Sequence, residues 1–72
     1  MRVRKTMRFV HEGRYAAEVE IELMEDDHEW SPYLSASDAK KLDMVRSALR
    51  LGDLKAAARH GRVYELTPVA AE

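Results

Sequence analysis

The side chains able to do chemistry in this 72-residue chain are few and widely spaced. His11, His28 and His60 are the general bases of the ordinary kind. His28 lies in the run Glu25-Asp26-Asp27-His28-Glu29, and clustered oxygens are what a hard cation binds. The run lacks the alternating ligands, central glycine and terminal Glu of a calcium loop, so a solvated turn is the simpler expectation. No Ser-His-Asp arrangement can be read from the spacing, and three isolated glycines make no phosphate loop. Cysteine is absent, which excludes disulfides and thiolate zinc sites. The expectation is a protein that is not an enzyme and needs no metal or cofactor.

Two charged sets remain, and each suits recognition better than catalysis. Glu18, Glu20 and Glu22 alternate along one segment and suit cross-strand ion pairs, or docking of a basic partner. Arg46, Arg50, Lys55, Arg59 and Arg62 fall at helical spacing toward the C-terminus. They read either as solvated helix faces or as a cationic patch for phosphates. The stretch Ala48–Ala58, with Gly52 at its centre, has some of the grammar of a helix-turn-helix. Asp53 departs from it where an apolar turn residue is usual, and Gly61 closes the second helix early. Trp30, Tyr33 and Tyr64 are amphipathic aromatics, suited to core packing or to anchoring an interface.

These residues must be positioned by a small set of elements. Residues 3–9 alternate Val3, Lys5, Met7 and Phe9 against Arg2, Arg4, Thr6 and Arg8. Residues 15–23 alternate Tyr15, Ala17, Val19, Ile21 and Leu23 against the three glutamates. Period two in both predicts a hairpin of half-buried strands. A three-residue loop, His11-Glu12-Gly13, would pair Phe9 with Tyr15 and Met7 with Ala17 on a buried face. It would set Arg4 opposite Glu20 and Arg2 opposite Glu22 on the open face. Trp30–Leu34 predicts a short third strand that Pro32 confines to an edge. Ser35 or Ser37 caps a helix with Leu42, Val45 and Leu49, joined by Ala39 and Ala48, as its apolar stripe. Gly52 ends that helix, Asp53 caps a shorter one as far as His60, and Gly61 ends it. Val63–Thr67 predicts a last strand before Pro68, with 69–72 as a loose tail. The fold class is therefore α+β, a two-layer sandwich of order β-β-(β)-α-α-β: an antiparallel sheet packed on two helices in one domain, 1–72.

Composition sets the limits. Of the hydrophobic residues, 46% of the chain, ten are alanine, so the core is small even for this length. A second copy or a partner is a natural source of the missing burial. The net charge of −1 hides segregation: residues 1–14 are basic, 15–29 strongly acidic, and 30–72 mildly basic. No apolar run approaches the ~20 residues of a membrane span, and the alternating N-terminus does not read as a secretory leader. A cytoplasmic protein without membrane partners is expected.

The acidic run at 25–30, the short aromatic strand and the Ser/Asp-capped helix resemble antitoxins of the HicB type over about residues 15–51. The family's Pro-rich, Gly-containing segment after the third strand is missing here, and no family functional residue matches a position. The chain is also similar to small conserved bacterial proteins. What the resemblance implies is an antitoxin-like or regulatory partner of another protein. The expected function is thus a homodimeric protein–protein interaction module, with Glu18, Glu20, Glu22, Trp30 and Tyr33 as partner-binding residues. The alternative is nucleic-acid binding through Arg46, Arg50, Lys55, Arg59 and Arg62.

Overall fold

The computed structural model describes residues 2–25 and 33–70. Its elements are β1 (Arg2–Glu12), β2 (Tyr15–Glu25), β3 (Tyr33–Leu34), α1 (Ala36–Leu51), α2 (Leu54–Ala58) and β4 (Gly61–Glu65). The sheet is antiparallel, and β2 is its centre: β1 lies along one side, while β3 and β4 share the other. Both helices pack on one face, giving the two-layer α+β sandwich expected. The Cα atoms span 49 × 31 × 14 Å, so the molecule is a plate with helices on one side only.

Local chemistry accounts for the helix ends. The Ser35 hydroxyl accepts from the Asp38 N–H at 3.1 Å, which satisfies an orphan donor of the first turn. At the other end Gly52 takes φ 77°, and the Gly52 and Asp53 N–H groups donate to the Leu49 and Ala48 carbonyls. That is a Schellman closure, and it needs a residue at ease in the left-handed region. Asp53 then caps α2 through Ala56 N–H. Leu42, Val45, Ala48 and Leu49 are buried on α1, whereas Ala39 is exposed and lies off the stripe.

The hairpin departs from expectation in one consequential way. The connection is the two-residue turn Gly13-Arg14, with positive φ at Gly13 alone, as in a type II′ turn. Glu12 therefore faces Tyr15, Val10 faces Ala17 and Phe9 faces Glu18. The register differs by three residues from the one a three-residue loop would give. An odd slip sends every β1 side chain to the other face of the sheet. Val10, Ala17, Val19 and Ile21 are buried beneath the helices, while Val3, Met7 and Phe9 emerge on the bare face. The pairing of Arg4 with Glu20 and of Arg2 with Glu22 is likewise overturned. Arg4 faces Leu23 and bridges Glu25 at 3.9 Å, while Arg2 faces Glu25.

The second side of β2 is paired at both ends and open between them. β3 reaches Leu23 and Met24, and β4 reaches Tyr15 to Val19. In the gap, α1 supplies side chains in place of a strand. Asp38 Oδ2 accepts from the Glu22 N–H at 2.8 Å, and Lys41 Nζ donates to the Glu20 carbonyl at 3.0 Å. Both bonds lie at the exposed edge of β2, and together they tie α1 to the sheet there.

Gly61 opens β4 where a helix end was expected, and α2 stops at Ala58. A Cβ at Gly61 would run into the Glu18 carbonyl oxygen and lie 3.1 Å from the Val19 Cα. Backbone cannot yield as a side-chain tip can. Gly61→Ala is therefore expected to prise β4 from β2 at a cost of about 2–4 kcal/mol. Thermal melts should read this as a fall of at least about 10 °C in Tm. A midpoint within about 2 °C of the parent protein would contradict the close approach.

Candidate interaction surface

The bare face collects side chains from every strand. Val3, Lys5, Met7, Phe9 and His11 come from β1; Ala16, Glu18, Glu20, Glu22 and Met24 from β2; Tyr33 from β3; Arg62 and Tyr64 from β4. They sort into zones. Val3, Met24 and Tyr33 form an apolar row across three strands at one end; at the opposite end Ala16 and Tyr64 are cross-strand partners and Phe9 approaches Tyr64 on the diagonal. Between them lies a charged band in which Lys5 Nζ sits 4.0 Å from Glu20 Oε2, with Met7 beside it.

Exposure makes this face unusual. Val3 is 55% exposed, Met7 51% and Phe9 61%, with Tyr33 and Tyr64 also open. Single exposed apolar residues mean little, but here five share one face, grouped at its two ends with Met7 between them, and such grouping is what interaction surfaces show. Met44 and Leu51 are exposed on α1, and Leu66 and Val69 beyond the end of β4. The Phe9 and Tyr64 rings lie 6.1 Å apart, and the Tyr64 hydroxyl donates to Glu18 at 3.2 Å. Both contacts hold the aromatic end in shape without covering it.

The expected partner-binding residues are partly assembled here. Glu18, Glu20, Glu22 and Tyr33 share the face; Trp30 lies outside the described residues. On β1 the glutamates face Phe9, Met7 and Lys5, not Arg2 and Arg4. Val3, Met7 and Phe9, the main apolar members of the surface, escape sequence reasoning as interface residues because their alternation reads equally well as core. The signal that could have found them is Gly13 followed by Arg14, which specifies the shorter turn.

The cationic set is not brought together. Arg62 faces Glu18 on the bare side, across the sheet from the helices. Arg50 forms a two-pronged contact with Glu12, both N···O distances being 3.3 Å, and Arg46 lies 3.8 Å from the same carboxylate and 3.2 Å from Asp43. Lys55 and Arg59 lie at either end of α2, which has five residues, barely more than a turn.

Titratable groups on the helix side serve as fasteners. Asp38 and Lys41 are engaged with the β2 main chain, and His60 lies near them in the cleft between α1 and the sheet. His11 Nε2 is 2.8 Å from the Gly13 carbonyl oxygen, inside its own turn. His28 and most of the acidic run lie outside the described residues. Among the described residues, no group of three His, Asp or Glu could hold a metal ion, and no helix is long and apolar enough to cross a membrane. In comparisons with protein-family models, curated proteins and solved structures, nothing matches this chain.

The Glu12 contact has a pH signature. Hydrogen bonding from Arg50, aided by the charges of Arg50, Arg46 and His11 and only partly opposed by desolvation, holds its carboxyl below the usual range. Folded Glu12 thus binds a proton less readily than unfolded Glu12. Its contribution is complete above the ordinary carboxylate pKa of about 4.3 and is lost as pH falls below that through the lower folded value. Glu12→Gln should lower Tm at pH 7, and the gap from the parent should be narrower at pH 3. An equal gap at both pH values would contradict this reading.

Proposed function

We propose that the protein is a non-enzymatic protein–protein interaction module, homodimeric, with an antitoxin-like or regulatory role, and that it associates through the bare side of its sheet. One observation carries the reading: Val3, Met7, Phe9, Tyr33 and Tyr64 stand exposed together on a face that the protein's own helices leave uncovered. Apolar surface removed from water is worth about 25 cal/mol per Å2, so an open patch of large side chains is free energy available to a partner. Met and aromatic residues are the types enriched in such contacts. The charged band of Lys5, Glu20 and Glu22 would select register and partner more than add affinity.

Size supports the same reading. A compact 72-residue chain has a radius of gyration of about 11 Å, against 14.6 Å here. A monomer of 8.3 kDa exposes about 4,600 Å2, against 5688 Å2 here.

The nucleic-acid alternative draws on Arg46, Arg50, Lys55, Arg59 and Arg62, and has less support. One of the five lies across the sheet from the rest, and two are occupied by Glu12.

Light scattering on the full chain from 1 to 200 µM tests the proposal. The parent should run as a dimer, and Met7→Asp with Phe9→Asp should run as a monomer with an unchanged far-UV spectrum, since both side chains are exposed. Arg50→Glu should leave the dimer intact. A parent that stays monomeric throughout, or a double variant that still associates, would overturn the reading.

A further inference from the structure

The outer edge of β1 is eleven residues long and, among the described residues, has no neighbour. In an antiparallel ladder each residue turns both main-chain groups to the same side, alternating along the strand. Glu20 and Glu22 turn theirs away from β1, toward Lys41 and Asp38. Their register partners Met7 and Lys5 must then turn theirs away from β2, and so must Val3, Phe9 and His11. The open edge thus presents five N–H and five C=O groups, all on residues whose side chains lie on the bare face.

We infer that β1 pairs antiparallel with β1 of a second copy about a two-fold axis at Met7, giving one continuous eight-stranded sheet. This rests on the homodimer reading above and goes beyond it: the contact runs along the β1 edge, and the bare faces of the two copies join side by side into one continuous surface with Met7 of each at its seam. The strand is its own complement in this register. All eleven residues overlap, about ten main-chain hydrogen bonds form, and no like charges lie directly opposite. On the helix side Arg2 meets the partner's Glu12, Arg4 meets the partner's Val10, and Thr6 meets the partner's Arg8. On the bare side Val3 meets the partner's His11, Lys5 meets the partner's Phe9, and Met7 meets the partner's Met7.

Neighbouring registers are worse. A slip of two residues one way sets Arg4 against the partner's Arg8, and two the other way sets Arg8 against the partner's Arg8. Like charges directly opposite are destabilising. A slip of four that brings Phe9 against the partner's Phe9 avoids this, but pairs only seven residues. Long edges are normally blunted by shortness, proline, bulges or charged side chains. β1 has no proline and no bulge; it carries Arg2, Arg4, Lys5 and Arg8, and the full-length register sets none of these against a like charge while placing Arg2 opposite the partner's Glu12.

Cysteine cross-linking tests the geometry without ambiguity, because the chain has no cysteine of its own. Across the two-fold, Met7→Cys would place two Cα atoms about 5.5 Å apart, within disulfide reach. Tyr64→Cys would lie at least about 24 Å from its copy, five strand spacings away. Under oxidised glutathione, Met7→Cys should form a covalent dimer and Tyr64→Cys should not. Met7→Pro removes an outward N–H that the β1–β2 ladder does not use, which an edge strand tolerates. It should give a monomer with the parent's far-UV spectrum. A covalent dimer formed by the Tyr64→Cys variant and not by Met7→Cys overturns the edge pairing and leaves the interaction module standing. So does a dimer that persists in a folded Met7→Pro variant. A monomeric parent overturns both.

Discussion

Everything distinctive in this protein follows from the two-residue turn at Gly13-Arg14. A turn of that length pairs Glu12 with Tyr15 and settles which face each β1 side chain occupies. Val10 goes inward, where it completes the cluster of Val19, Ile21, Val45 and Leu49. Glu12 moves to the helix side, within reach of Arg46 and Arg50. Val3, Met7 and Phe9 are left in water. A loop one residue longer, with the alternation unchanged, would bury those three and expose Val10.

Much of the architecture is legible in the residues. The contrast of Ala17, Val19, Ile21 and Leu23 with three glutamates admits one orientation of β2. Ser35, Gly52 and Asp53 mark helix ends through hydrogen bonds that depend on a few neighbouring residues. β1 is less legible because two apolar sets compete there: Val3, Met7 and Phe9 at odd positions, and Val10 at an even one. Periodicity counts side chains and favours the larger set, but the sheet has only one covered face and the turn decides which set reaches it. Gly61 reads locally as a helix end for a related reason. Its cause is the approach of the Glu18 main chain, forty-three residues earlier in sequence, which no local pattern encodes.

The candidate surface is half visible in the sequence. The Glu18, Glu20 and Glu22 row is legible as a patterned face, yet its neighbours across the strands are Phe9, Met7 and Lys5. With Phe9 and Met7 in place of Thr6 and Arg4, and Lys5 in place of Arg2, the face is amphipathic and not a lattice of ion pairs. Sites where local pattern and tertiary structure disagree are where function is expected to be stored. Here the disagreement leaves large apolar side chains exposed on a plate-shaped protein with a small core.

The claim on which the account turns is the β1–β2 register, and cross-strand proton NMR measures it directly. Phe9–Glu18, Met7–Glu20 and Lys5–Glu22 are pairs whose main-chain groups point outward, so their α-carbons lie only about 4.5 Å apart. Strong Hα–Hα nuclear Overhauser effects between the members of those three pairs are the predicted result. Effects linking Phe9 to Tyr15 and Met7 to Ala17 would return Val3, Met7 and Phe9 to the core and contradict the account.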